Sequence, residues 1–177
     1  MRLARRPKGA EGGANSYNSL MNIELIAVGK TDSAAVESLA ADYARRINHY
    51  CRFSVTMLPD VRNTRSISAA QQCTAEGEAI LRQLTAGDYV ALFDERGDEF
   101  RSMEFAAWMQ KRMNSGIRRL VLVIGGPYGF SEAVYARADA RVSLSKMTFS
   151  HQIVRAIIAE QIYRAFTILN NEPYHHE

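Results

Sequence analysis

Cysteine is scarce in this sequence: Cys51 and Cys73 stand far apart among 177 residues. Two thiols are too few for a disulfide framework or for a cysteine-based zinc site. Long apolar runs are also missing, and none approaches the roughly 20 residues that a membrane-spanning helix needs. These absences argue against a disulfide-rich secreted protein and a helical membrane protein. We therefore expect a cytoplasmic protein that binds no metal.

Most of the chain has no excess of positive or negative charge. The net charge is +3, but residues 1–20 hold four basic residues and one acid, which leaves 18 basic and 18 acidic residues in 21–177. Global charge therefore does not argue for a nucleic-acid partner, although a local basic patch stays possible. We interpret 1–20 as a leader or alternative-start segment without stable structure, with a basic RNA-touching arm as the alternative, and 21–177 as one domain.

Strand-like and helix-like segments alternate from residue 21 onward. Short apolar segments predict strands at 22–28, 53–58, 89–94, 120–124 and, more weakly, 141–144. Apolar residues at helical spacing predict helices between them, and a last helix from Ile153 to about Asn170. This alternation predicts an α/β fold with a mainly parallel sheet flanked by helices.

Local chemistry also predicts several boundaries. The turn-like sequence Glu95-Arg96-Gly97 should end the third strand, and a helix should run through Ala79, Ile80 and Leu84. Asp32 or Ser33, Ser102 and Ser131 are each expected to cap the helix that follows them.

In parallel sheets, ligands bind beyond the carboxyl ends of the strands, where three unusual loops fall: Asp94–Gly97, Gly125–Phe130 and Leu144–Gln152. The glycines let a ligand approach the backbone, with a plain strand-to-helix turn as the alternative. A Walker loop is excluded because Phe130-Ser131 follows the glycines. A dinucleotide fingerprint is disfavoured because the glycines follow the fourth strand. The hydroxyls of Ser143–Ser150 could hold a cofactor or only cap the last helix.

The last helix carries a polar strip of Glu160, Arg164 and Thr167, and most of its remaining surface is apolar. So wide an apolar arc predicts packing on two sides, one of which could be a second subunit. Arg155 lies opposite the strip and predicts either an anion site or an ion pair within the subunit. The tail after this helix is either a frayed end or a segment that reaches a neighbouring active site.

Taken together, these segments resemble the RlmH family of ribosomal RNA large-subunit methyltransferases, a branch of the SPOUT superfamily. The matching segments are MNIELIAVGK at 21–30, YARRI at 43–47, LVLVIGGPYGFS at 120–131, SLSKMTFSHQIVR at 143–155, EQIYRAF at 160–166 and PYH at 173–175. The resemblance implies a C-terminal trefoil knot and a homodimer with the active site at its interface. It also implies methyl transfer from S-adenosyl-L-methionine to N3 of a pseudouridine in helix 69 of 23S rRNA, on the assembled ribosome.

The same resemblance implies which residues form the site. The cofactor loops fall at Leu92, Phe93, Gly125, Gly126, Pro127, Ser145, Lys146, Met147, Thr148, Phe149 and Ser150. The implied catalytic residues are His151, Arg155, Tyr174 and His175, with His151 or His175 as a base and Arg155 as a stabiliser of negative charge. His176 stands where the family often has arginine or lysine, so a permanent positive charge is missing there.

Other functions stay open on the residues alone. The chain could be a different α/β enzyme that binds a nucleotide at the glycine loop, or a ribosome-binding module without catalytic activity. Within the superfamily, a 2′-O-ribose methyltransferase is the nearest alternative.

Overall fold

The computed structural model describes residues 21–61 and 66–176. The interpretation of residues 1–20 as a leader lies outside the described residues. The described chain alternates strands and helices in the order β1 Asn22–Val28, α1 Ala34–Ile47, β2 Arg52–Leu58, α2 Ala69–Leu81, β3 Tyr89–Glu99, α3 Ser102–Met113, β4 Arg119–Ile124, α4 Glu132–Arg137, β5 Ala140–Ser143 and α5 Ile153–Leu169.

The strands form one sheet in the order β2-β1-β4-β3-β5, and every neighbouring pair is parallel. This confirms the predicted parallel α/β fold, because parallel neighbours need helical crossovers between them. The order also puts the carboxyl ends of β4, β3 and β5 side by side. The knotted path of the C-terminal segment stays a prediction of the resemblance.

Strand β4 is buried on both faces and divides the core in two. Leu120, Leu122 and Ile124 point into one apolar cluster, whereas Val121 and Val123 point into the other. Helices α1, α3 and α5 cover the first face, and α2 and α4 cover the second. The apolar run in β4 therefore has the expected cause: a strand covered on both faces has no polar side.

Helix α5 packs against both α1 and α3. Much of the wide apolar arc predicted for α5 is therefore covered within the same subunit. Among the described residues, no helix is both long and apolar enough to cross a membrane.

The predicted end of the third strand is wrong. Glu95-Arg96-Gly97 lies inside β3, which continues to Glu99 and pairs again with β5 after a shift of register between Phe93 and Asp98. A Cβ at Gly97 would lie 2.6 Å from the Val142 nitrogen. The glycine therefore permits close approach to β5 rather than a turn.

Several helix boundaries also differ from the prediction. Helix α2 ends at Leu81, so Leu84 lies beyond it. Ser102 is the first residue of α3 and not its cap; the Glu104 carboxylate accepts a hydrogen bond of 2.7 Å from the Arg101 backbone N–H instead. Ser131 occupies the cap position of α4 without a capping hydrogen bond, whereas the Ser33 hydroxyl caps α1 as predicted.

At the amino ends of the strands, far from the predicted loops, Arg119 joins two carboxylates. Its guanidinium lies 2.7 Å from Glu24 and 2.8 Å from Asp88, and the Asp88 side chain is only 3% exposed. Charges removed from water in this way are tolerated because each has a partner.

We expect Arg119→Met to lower the free energy of unfolding by about 2–4 kcal/mol, because it leaves a buried carboxylate unpaired. Urea denaturation measures the change. Arg45→Met is the matched control, because Arg45 pairs with Asp42 at a side-chain exposure of 75%, and its loss should be below about 1 kcal/mol. Equal losses in the two variants would contradict this account.

Candidate active site

A cleft of about 510 Å³ opens at the carboxyl ends of β3, β4 and β5. Its walls are the start of the Asp94–Gly97 segment, the glycine loop Gly125–Phe130 and the loop that follows β5. The structure thus brings together the three segments that the sequence singled out. The volume lies within the range of roughly 300–1,000 Å³ that is usual for small-molecule sites.

The glycine loop presents backbone to the cleft because neighbouring groups leave no room for side chains. A Cβ at Gly125 would lie 2.9 Å from the Gly129 carbonyl oxygen, and a Cβ at Gly126 would lie 2.7 Å from Cδ of Glu76. Gly129 has a φ of +77° and donates a backbone hydrogen bond of 3.1 Å to Gly126. A ligand can therefore approach this backbone closely.

The serine hydroxyls of the loop after β5 form hydrogen bonds within the loop. The Ser143 hydroxyl donates to the Ser145 carbonyl at 3.1 Å, and the Ser145 hydroxyl accepts from the Met147 N–H at 3.0 Å. The Ser150 hydroxyl accepts from the Gln152 N–H at 3.3 Å. These bonds shape the loop and leave Met147, which is 72% exposed, at the cleft wall.

A hydrogen-bonded pair of Tyr135 and Asp94 also lines the cleft. The Tyr135 hydroxyl donates to Asp94, which also accepts from the Arg96 N–H at 2.8 Å. Burial, followed by the hydrogen bond to Asp94, raises the pKa of Tyr135 to about 12, so the phenol stays neutral. The predicted site did not include this pair, although Asp94 begins one of the singled-out loops.

The predicted cofactor residues divide into two groups. Those that line the cleft are Phe93, Gly125, Gly126, Pro127, Ser145, Met147, Thr148 and Phe149. Leu92, Lys146 and Ser150 are not among the lining residues. Leu92 is fully buried and packs into the core on the α2–α4 face of the sheet.

Of the predicted catalytic residues, only His151 lines the cleft, where it is exposed. Arg155 is 3% exposed and points to the end of β1, where it donates to the Val28 carbonyl and the Thr31 hydroxyl at 2.6 Å each. Burial lowers the pKa of Arg155. It forms no ion pair with the described carboxylates, so the predicted pair within the subunit is not seen. Its Nε atom has no hydrogen-bond partner.

The tail folds back onto its own helix. Asn171, with a φ of +55°, reverses the chain after α5. The Tyr174 hydroxyl then lies 3.1 Å from Glu160 and 3.3 Å from the Tyr43 hydroxyl, and Arg164 contacts His175 at 3.4 Å. The polar strip predicted on α5 is therefore the docking surface of the tail.

Thr167, predicted as part of that strip, is instead fully buried, and its hydroxyl donates to the Arg164 carbonyl at 2.8 Å. Val154 lines the cleft, and Arg164 lies ten residues further along α5. At 1.5 Å per residue, Glu160 and Arg164, which hold Tyr174 and His175, lie about 9 Å and about 15 Å from Val154 along the helix. Within one subunit, Tyr174 and His175 do not meet His151.

Glu76 is a residue that the sequence analysis missed. It lies on α2, is 3% exposed and packs against Gly126 beneath the glycine loop. Gln72 donates a hydrogen bond of 2.8 Å to its Oε1, whereas Oε2 has no partner. Burial raises the pKa of this carboxyl. No local pattern singles out one glutamate in a mixed helix, because the reason for it lies on a distant loop.

The fold, the glycine loop and the cleft together define the class of protein. A family model described as "Predicted SPOUT methyltransferase" matches residues 21–175, and the chain belongs to this family.

Individual relatives make the resemblance more specific and confirm the match to the RlmH family. Proteins named "Ribosomal RNA large subunit methyltransferase H" are 54% identical in Parabacteroides distasonis and 53% identical in Flavobacterium johnsoniae, each over 89% of this chain and 100% of the relative. The one from Christiangramia forsetii is 53% identical over 88% of this chain and 99% of its own.

A solved structure, the SpoU methyltransferase AviRb from Streptomyces viridochromogenes in complex with AdoMet, aligns over 82% of this chain and 58% of that chain. Its TM-score is 0.43 and its identity 13%, a likeness too weak for further conclusions.

Glu76→Gln is expected to stabilise the protein at neutral pH. Folding raises the pKa of this carboxyl, so the folded state favours its protonated form. Once the pH exceeds the folded-state pKa, the carboxyl is ionised in the buried site and lowers the free energy of unfolding. A neutral amide avoids this penalty. We expect the Tm at neutral pH to rise on the order of 2–4 °C, the change that about 1 kcal/mol gives in a chain of this size.

The gain should shrink as pH falls and vanish below about pH 4, where glutamate is protonated in both states. Thermal melts across this range measure it. Glu78→Gln on the same helix is the control. The Glu78 side chain is 66% exposed, and its ion pair with Arg82 is long, at 3.8 Å. A Tm gain in Glu76→Gln that does not change with pH would show that the charge is not its cause.

Proposed function

We propose that this chain transfers the methyl group of S-adenosyl-L-methionine to N3 of a pseudouridine in helix 69 of 23S rRNA, on the assembled ribosome in the cytoplasm. The observation that carries the proposal is the cleft where the glycine loop, the loop after β5 and the middle of β3 meet. The family match and the relatives named for large-subunit rRNA methylation support the type of substrate.

The cleft suits an adenosine-based donor. Backbone of the glycine loop can accept and donate hydrogen bonds at close range, and Phe149, Met147 and Tyr128 provide apolar surface for a flat base. The sulfonium of this donor supplies an already activated methyl group. The protein's main task is then to align donor and acceptor, and positioning contributes up to about 7–11 kcal/mol in favourable cases.

The acceptor nitrogen of a uracil-like ring carries a proton that must leave. His151 is suited to receive it, because it lines the cleft and a neutral imidazole has a ring nitrogen that can accept a proton. Arg155 is held behind the cleft by Val28 and Thr31. We therefore assign Arg155 to stabilising the loop after β1. To contact the oxygens of the acceptor ring, Arg155 would first have to break those two hydrogen bonds.

A homodimer completes the proposed site. Tyr128, Met147 and Ile153 are 56%, 72% and 44% exposed, and all three lie at or beside the cleft. Large exposed apolar side chains near a site suit a surface that another protein covers. In this proposal a second copy covers them, and its tail brings Tyr174 and His175 to the cleft for contact with the acceptor.

The purified chain should methylate ribosomes that lack the modification, and it should bind free helix 69 RNA only weakly. Residues 21–177 are balanced in charge, whereas tight binding of naked RNA normally needs many cationic phosphate contacts. Incorporation of tritiated methyl, followed by mapping of the modified atom, tests the reaction. Label on a ribose 2′-oxygen would favour the alternative reaction, and tight, salt-sensitive binding of free RNA would contradict the proposed mode of binding.

Two inactive variants should restore activity when mixed. A chain truncated after Glu172 lacks the tail, and His151→Ala lacks the proposed base; each should lose at least tenfold in kcat, since general bases contribute about 10²–10⁴-fold. After subunit exchange, activity should return to about a quarter of wild type, because half of the dimers are mixed and each has one intact site. Mixing two portions of the same variant is the control. Full activity of the truncated chain alone would remove the tail from the mechanism.

A further inference from the structure

The Glu76 carboxylate lies directly behind the wall of the cleft. Its carboxyl group occupies the space that a Cβ of Gly126 would take, with Cδ 2.7 Å from that position, and Gly126 itself lines the cleft. Helix α2 holds the glycine loop from below, since the Cys73 thiol also faces the Tyr128 carbonyl at 3.9 Å. Only the thickness of the backbone therefore separates this negative charge from a ligand in the cleft.

The charge has no counterion within the described part of the chain. Glu76 forms no ion pair there, and its Oε2 accepts no hydrogen bond. The titratable groups that face it are Cys73 on its own helix, Asp60 after β2 and His151 before α5. Asp60 repels the carboxylate and only an ionised His151 would attract it. A buried carboxylate in such surroundings is suited to a cation that arrives with a ligand.

We propose that Glu76 is a specificity-determining residue for the methyl donor: its buried charge favours the sulfonium-bearing donor over the demethylated product, S-adenosylhomocysteine. This inference rests on the proposed function, because it takes S-adenosyl-L-methionine as the donor. The two ligands differ by one methyl group and one positive charge, so a nearby negative charge distinguishes them where neutral backbone contacts do not.

The physical reason is the weak screening of a charge that water cannot reach. Opposite charges across a protein wall attract more strongly than the same charges in water. The attraction ends once the methyl group has left and the sulfur is neutral, so the same carboxylate assists the exchange of product for fresh donor. This gives a reason for keeping a charge that destabilises the fold.

Isothermal titration calorimetry with each of the two ligands, at mildly alkaline pH, tests the proposal without an activity measurement. We expect Glu76→Gln to reduce the ratio of donor to product affinity on the order of tenfold. Glu76→Asp keeps the charge, so it should keep the ratio within about twofold even if both affinities fall. Glu78→Gln, on the exposed side of α2, should change neither affinity.

The outcomes separate the inference from the proposed function. Parallel losses of both affinities in Glu76→Gln would make Glu76 a structural support of the loop and overturn the inference, as would two unchanged affinities. If the wild-type chain binds neither ligand, the proposed function itself fails. Glu76→Met is a second neutral variant, and it must show the same change of ratio even if Glu76→Gln does not fold.

Discussion

The structure depends on one constraint: β4 must be covered on both faces. Its alternating side chains enter two separate cores, so helices have to pack on both sides of the sheet. With β1 on one side and β3 on the other, β4 cannot lie at an edge. The glycine loop that follows β4 is therefore placed centrally at the carboxyl end of the sheet. The cleft is a consequence of this topology, because β5 ends, and β3 shifts its register, beside the same loop.

Two buried charged side chains near the carboxyl end of the sheet, Arg155 at the end of β1 and Glu76 behind the glycine loop, have no ion-pair partners among the described residues. Arg155 donates hydrogen bonds to a carbonyl and a hydroxyl at the end of β1, and one oxygen of Glu76 accepts a hydrogen bond from Gln72. One buried atom on each side chain, Nε of Arg155 and Oε2 of Glu76, lacks a partner. Unsatisfied buried polar groups are rare in folded proteins, and they collect where function requires them. The loop after β1, held by Arg155, and the loop after β4, backed by Glu76, thus rely on groups that stability alone would not select.

The sequence predicted the architecture well because that architecture depends on local patterns. Apolar runs such as Leu120–Ile124 and the alternation with helices were sufficient for a parallel sheet and for the three loops at its edge. The prediction failed where a residue serves a distant neighbour. Gly97 looks like a turn residue but provides space for β5, and Thr167 looks exposed but is buried. No local sequence pattern marks Glu76, because its position matters only through its packing against Gly126, fifty residues away.

The geometry of α5 explains why the proposed site needs two subunits. A straight helix keeps its ends apart, so the cleft at Val154 and the tail docked on Glu160 and Arg164 remain about 9–15 Å apart along the helix of one chain. The tail is also fastened to its own subunit by Tyr174 on Glu160 and Tyr43, by His175 on Arg164, and by Glu172, which accepts a hydrogen bond from the Tyr50 hydroxyl at 2.5 Å. To reach its own cleft, the tail would have to break these contacts and turn back along the helix. A second copy that packs its α5 in the opposite direction would bring its docked tail to the cleft without breaking these contacts.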